Sequence, residues 1–183
     1  MTVTLLKGLR TSAIAAVVLG VSSASQADVR VLFREGAPTD RFEIRNTGGC
    51  PLGPMTLRLD LSESSGGLIF DTSASGPGVQ VYQPFELVAG AELVRAFSDV
   101  RDGGRSVELM LTGLHARQEV AFTIDVDDTL VASPWGQTQV AGSEIKGAEV
   151  AIDFDEAGAG LPPVEARFDA NAVALLPVSN CVS

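Results

Sequence analysis

The strongest constraint on the fold of this chain is an alternation of apolar and polar side chains with a period of two. The clearest example spans residues 119–127, where every second side chain is large and apolar: Val120, Phe122, Ile124 and Val126. Because successive side chains of a strand point to opposite faces, this pattern predicts a half-buried β-strand. Similar patterns or short apolar runs predict further strands at 28–34, 41–45, 55–61, 67–70, 78–82, 84–88, 106–111, 137–140, 144–154, 164–168 and 172–176.

Clusters rich in Gly and Pro separate these segments, for example at 36–38, 46–51 and 158–163. Many short strands with frequent turns predict an all-β domain, an antiparallel β-sandwich of the immunoglobulin-like or jelly-roll type. A helical turn is expected only around Val94, Phe97 and Val100, where Gly103 and Gly104 would end it. No other segment sustains a helical period.

The first 27 residues have the layout of a secretory signal peptide. Lys7 and Arg10 precede an apolar run at 13–21, and small residues at Ser25 and Ala27 predict cleavage after Ala27. The run is shorter than the roughly 20 apolar residues of a membrane span, although an uncleaved N-terminal anchor is the alternative. We therefore expect one exported domain over 28–183, periplasmic or extracellular, with no membrane span after cleavage.

The charge balance narrows the class of partner. The chain holds 23 acidic and 13 basic residues, a formal net charge of −10. Such a surface repels nucleic acid and anionic lipid and attracts divalent cations, although acidity also simply keeps a protein soluble. The only two cysteines, Cys50 and Cys181, predict one disulfide in an oxidising compartment.

Three aspartates at the end of the clearest strand form the best candidate site. Alternation places Asp125 and Asp127 on the same face, and Asp128 begins the following turn. Three carboxylates this close repel one another, and a bound Ca²⁺ would remove that penalty. Because calcium takes six to eight oxygens, another acid is needed, and we expect Glu144, with Asp71 or Asp99 as alternatives. The competing interpretation is a solvated acidic turn.

Aromatic and catalytic signals are sparse. Trp135, the only tryptophan, follows the acidic turn and could present a flat face to a sugar or a protein partner, as could Tyr82; either could instead cover the core edge. His115 is the only histidine, and no Gly-x-Ser-x-Gly elbow marks a nucleophile. We therefore expect no enzyme, although a secreted hydrolase remains an alternative.

Several segments resemble the secreted bacterial proteins known as aggregation factor core proteins, which are named for their similarity to the calcium-dependent adhesion proteoglycans of sponges. These segments are FEIRNTG at 42–48, LRLDLS at 57–62, GLIFD at 67–71, QPFE at 83–86, FTIDVDDT at 122–129 and AGSEI at 141–145. The resemblance implies an extracellular β-sandwich with an adhesive or assembly role that uses Ca²⁺ at Asp125, Asp127 and Asp128. It transfers no catalytic residue.

Together, these features predict a secreted, non-enzymatic β-sandwich protein that acts in calcium-dependent adhesion, aggregation or surface assembly. Its expected partners are itself, other surface proteins or glycans. A carbohydrate-binding module that uses Trp135 is the alternative.

Overall fold

The computed structural model describes residues 27–79, 81–130, 140–155 and 163–178. Within these ranges the chain forms strands and a single 3₁₀ turn at Ala91–Leu93. The strands are β1 (Ala27–Arg34), β2 (Asp40–Asn46), β3 (Met55–Asp60), β4 (Ile69–Asp71), β5 (Glu86–Ala89), β6 (Val94–Phe97), β7 (Ser106–Leu111), β8 (Glu119–Asp127), β9 (Glu149–Phe154), β10 (Val164–Arg167) and β11 (Val173–Val178).

The strands form two antiparallel sheets that pack face to face. The first sheet has the order β11-β1-β2-β8-β4, and β5 also pairs with β8. The second has the order β10-β9-β3-β7-β6. The predicted all-β sandwich is therefore confirmed, and β8 lies where β2, β4 and β5 all meet it.

The alternation seen in the sequence decides which side chains enter the core. In β3, for example, Met55, Leu57 and Leu59 are buried while the residues between them are half-exposed. Their counterparts on the facing sheet include Val31, Ile44 and other apolar residues of β1, β2 and β8. Both sheets thus contribute one apolar face to a shared core, as expected for a sandwich.

A row of neighbouring phenylalanine rings runs from this core to the surface. The ring centroids are 5.0 Å apart for Phe33 and Phe42, and 4.9 Å apart for Phe42 and Phe122. Phe85 continues the row at 4.8 Å from Phe122, and it stacks in turn on Phe97 at 4.6 Å. Phe122 of β8 thus packs between Phe42 of β2 and Phe85.

Three sequence predictions are wrong in detail. The segment around Val94 and Phe97 is strand β6, paired with β7, rather than a helical turn. Residues 144–148 form successive turns, closed by bonds such as Lys146 N–H to the carbonyl of Ser143, rather than the start of a strand. The described residues of 78–82 are not in a strand, and most of the predicted strand at 137–140 lies outside the described residues.

The signal peptide and Cys181 also lie outside the described residues, so both stay predictions. Cys50 is buried, with 7% of its surface exposed. Val178, at the end of β11, pairs with Ala27, and the neighbouring Asp28 accepts a hydrogen bond from Thr47 N–H. Since Cys181 follows Val178 by three residues, the strand register is compatible with the predicted pairing. No helix in the described ranges is long and apolar enough to span a membrane.

Candidate metal centre

Three aspartates from β4 and β8 meet on the outer face of the first sheet. Asp125 and Asp127 share this face because they are two residues apart on β8, and the antiparallel register places Asp71 directly opposite Asp125. One carboxylate oxygen from each of Asp71, Asp125 and Asp127 lies within 4.8 Å of the others. Since calcium–oxygen distances are about 2.3–2.6 Å, a single ion between these oxygens could contact all three. We call these residues the aspartate triad.

The triad is buried although it lies on an outer face. The exposed fractions are 0% for Asp71, 6% for Asp125 and 1% for Asp127. The segment that follows β4 contributes to this cover: a Cβ on Gly78 would lie 2.4 Å from Oδ2 of Asp71 and 2.7 Å from Oδ2 of Asp127. Only glycine permits so close an approach of the backbone to the carboxylates.

Most oxygens of the triad are unsatisfied by hydrogen bonds. Val79 N–H donates to Oδ2 of Asp127 at 2.7 Å. Among the described residues, four other oxygens are buried without a hydrogen bond from an N–H or hydroxyl group, namely both of Asp71, Oδ2 of Asp125 and Oδ1 of Asp127. When protonated, Asp71 can hydrogen-bond the carboxyl groups of Asp102 and Asp127. Burying a charged group without a partner costs several kcal/mol. The fold therefore requires bound protons or a cation at these oxygens.

The electrostatics lead to the same requirement. Burial raises the pKa of Asp71 to about 7, and its closest neighbours add to the effect because they are the carboxyl groups of Asp102 and Asp127. Burial and the charges of Asp127 and Asp71 raise the pKa of Asp125 to about 7. Burial also raises the pKa of Asp127. At neutral pH the triad is therefore either partly protonated, or it binds a cation.

Two further aspartates lie beside the triad, and each accepts hydrogen bonds from two backbone N–H groups. Oδ1 of Asp102 accepts the N–H groups of Thr72 and Ser73 at 2.8 and 2.9 Å. Burial opposes ionisation of Asp102, but these bonds prevail and lower its pKa. Asp40 accepts the N–H groups of Gly36 and Val126, and its burial raises its pKa to about 8. Asp102 therefore anchors the segment after β4, and Asp40 joins the start of β2 to β8.

The sequence identified two of the three triad residues directly. Asp125 and Asp127 were predicted ligands, and Asp71 was named only as an alternative completing acid. Asp128 and Glu144 are not members of the triad, although both are buried. Oδ1 of Asp128 accepts Leu130 N–H at 3.0 Å, and Oε2 of Glu144 accepts Ala141 N–H at 2.7 Å.

The other predicted site residues give less information. Trp135 lies outside the described residues, so its proposed role in ligand binding stays a prediction. Asp99 is exposed. His115 is exposed in the turn before β8, and its backbone N–H donates to Oε1 of Gln118.

Comparisons with protein-family models, curated proteins and solved structures found no match to this chain. What the site can do must therefore be argued from its geometry: three buried carboxylates on adjacent strands could hold a metal ion.

Proposed function

We propose that the aspartate triad binds Ca²⁺ and that the protein is an exported, non-enzymatic adhesion module whose fold is completed by this ion. The observation that carries the proposal is the burial of four carboxylate oxygens without hydrogen-bond partners. A divalent cation supplies the missing positive charge at neutral pH, where protons would hold only part of the triad neutral.

The donor set favours calcium over other cations. All three ligands are carboxylate oxygens, which suit hard cations, whereas zinc prefers histidine and cysteine. Magnesium demands near-ideal octahedral geometry and keeps several waters, while calcium accepts irregular shells of six to eight oxygens. A buried triad fixed on two strands fits the more tolerant ion. For an exported module, we expect a Kd in the range of about 10⁻⁴ to 10⁻³ M.

A direct structural link connects the triad to an exposed apolar surface. Val79 N–H donates a hydrogen bond to the carboxylate of Asp127. The backbone N–H of Gln83 donates to the carbonyl of Asp71, and the carbonyl of Gln83 accepts the N–H of Asp125. Between these two attachments lie Val81 and Tyr82, which are 49% and 41% exposed. A cation that stabilises the triad would therefore also hold these two side chains in their exposed positions. This link supports calcium-dependent adhesion.

Titration calorimetry with CaCl₂ on the mature chain tests the ion site. The native protein should bind one Ca²⁺, and Asp71→Asn should weaken binding at least about tenfold, because it removes one of the charged ligands. Glu92→Gln is the matched control, since Glu92 is exposed in the 3₁₀ turn and has no ion pair in the described part of the chain. Absence of binding at about 10 mM Ca²⁺, a concentration above the expected Kd, would overturn the proposal.

A carbohydrate-binding module is the second candidate, and the exposure of Tyr82 favours it. An exposed aromatic ring can stack on a sugar face. Binding of a glycan that is lost in Tyr82→Ala, and that persists in Phe97→Ala, would support this function. Glycan binding that survives Tyr82→Ala would place the sugar site elsewhere and contradict it.

A further inference from the structure

Strands β1 and β2 place two pairs of arginines directly opposite each other on the outer face of the first sheet. Arg30 pairs with Arg45, and Arg34 pairs with Arg41. Like charges directly opposite on neighbouring strands are destabilising. Each pair therefore requires nearby carboxylates. The two pairs differ in whether such carboxylates form ion pairs with the guanidinium groups.

The second pair is neutralised within the molecule. Nε of Arg34 and Nε of Arg41 each lie 3.0 Å from Oε1 of Glu43. Nη2 of Arg41 also lies 3.5 Å from Oε1 of Glu119. This pair shows how the sheet accommodates facing arginines when carboxylates are available.

The first pair forms no close ion pair in the described part of the chain. Nε of Arg30 is buried and has no hydrogen-bond partner among the described residues. Arg45 lies opposite Glu119 of β8, but neither Arg30 nor Arg45 has a carboxylate of a described residue within ion-pair distance. On its other side Arg30 lies opposite Leu175, which is 54% exposed. The surface therefore combines two guanidinium groups that form no ion pair with an exposed apolar side chain.

The outer face of the second sheet has the complementary character. Asp153 on β9 and Glu165 on β10 are exposed there, and neither has an ion pair among the described residues. The register places Met110 of β7 and Asp153 on the same face, each opposite Thr56 of β3, and Met110 is 38% exposed. This face thus offers free carboxylates beside an apolar side chain.

We infer that the Arg30–Arg45 face of one molecule docks on the Asp153–Glu165 face of a second copy. The inference deepens the proposed adhesive function by naming its partner. Because the two faces lie on opposite sides of the sandwich, the contact is heterologous, and repeating it builds an open chain of molecules rather than a closed dimer. Facing guanidinium and carboxylate groups form strong charge-assisted hydrogen bonds.

Sedimentation velocity over a concentration series, with CaCl₂ present, tests the inference. The native protein should form species larger than dimers, and raising NaCl from about 0.1 M to about 1 M should dissociate them, because salt screens exposed charges. Arg45→Glu and the double variant Asp153→Arg/Glu165→Arg should each weaken association by about tenfold or more, through like-charge contact. Lys146→Glu, an equal charge change at an exposed position in the turn before β9, should have no effect.

Mixing two neutral variants gives the sharpest result. Arg45→Gln retains the acidic face and the double variant Asp153→Asn/Glu165→Gln retains the basic face, so together they should form a heterodimer that cannot extend. Arg45→Gln, which adds no negative charge, provides a second variant if Arg45→Glu fails to fold, and it should also weaken association. A native protein that stays monomeric, or a mixture that forms no heterodimer, would overturn the inference.

Two further outcomes separate this inference from other conclusions. Binding of an acidic polysaccharide that requires Arg45, without self-association, would replace the second copy by a polyanionic glycan and refute the inference. Calcium binding measured on the same samples separates the proposals: an intact calcium response without assembly refutes only the docking surface, and assembly without a calcium response refutes only the ion site.

Discussion

Replacing Asp125 by asparagine should stabilise the calcium-free protein, and calcium should reduce this stability advantage. Asparagine has nearly the same shape as aspartate, removes one buried charge, and brings an NH₂ group that can donate to the unpaired oxygens of Asp71 and Asp127. Without calcium, the variant should therefore unfold less readily than the native protein at pH 8. With calcium, it should lose the ion's contribution.

The magnitude follows from the site's electrostatics. Burial, reinforced by the neighbouring charges, raises the pKa of Asp125 from 3.8 to about 7. An increase of about three pH units corresponds to about 4 kcal/mol at about 1.4 kcal/mol per unit, which is the upper limit of the variant's gain above pH 7. Calcium at about one hundred times its Kd should stabilise the native protein by about 2.7 kcal/mol. The stability advantage of the variant should therefore shrink by about 2–3 kcal/mol when calcium is added.

Urea unfolding at pH 8, in EDTA and then in CaCl₂, measures both effects. Glu92→Gln provides the control, because an exposed substitution away from such a site usually changes stability by less than about 0.5 kcal/mol. Two results would refute the reasoning. One is an Asp125→Asn variant that is less stable than the native protein in EDTA, and the other is equal stabilisation of both proteins by calcium.

Three other outcomes are expected. Because burial raises the pKa of Asp71 from 3.8 to about 7, the contribution of Asp71 to the unfolding free energy of the calcium-free protein should be fully present below about pH 4 and be lost as pH rises through about 7, while calcium should flatten this part of the profile in chemical-denaturation curves. Gly78→Ala should lower calcium affinity and the apo melting temperature, since the added Cβ would lie 2.4 Å from the Asp71 carboxylate; thermal melts with and without calcium measure this, and an unchanged response would show that the segment around Gly78 does not cover the site. Peptide mapping of the non-reduced protein should find Cys50 joined to Cys181, and reduction should cost up to about 5 kcal/mol, because the bond would close a long loop; a free thiol in the protein purified without reductant would contradict the pairing.

Local patterning was sufficient to predict most of the sandwich. The predicted strand at 119–127 matches β8, because its alternation reports directly which face is buried. The pattern was insufficient where hydrogen-bond partners decide the conformation. Residues 94–97 have apolar spacing compatible with a helical turn, but pairing with β7 makes them a strand.

The site shows the same division. Spacing along one strand was enough to place Asp125 and Asp127 on a common face, since that depends only on the geometry of β8. The sequence also predicts Asp128 as a ligand; it lies outside the triad, with Oδ1 bonded by Leu130 N–H and Oδ2 buried without a hydrogen-bond partner among the described residues. The third member, Asp71, lies 54 positions before Asp125 in the sequence, and no local pattern distinguished it from Asp99 or Glu144.

The amino-acid sequence by itself therefore determined the all-β architecture and two of the three triad residues, because both depend on side-chain alternation within single strands. Only the tertiary structure decided that Asp71 lies opposite Asp125, that the segment around Gly78 covers the carboxylates, and that Arg30 forms no ion pair with a described residue. Each of these depends on the register between strands distant in sequence, which is fixed by the packing of the whole core.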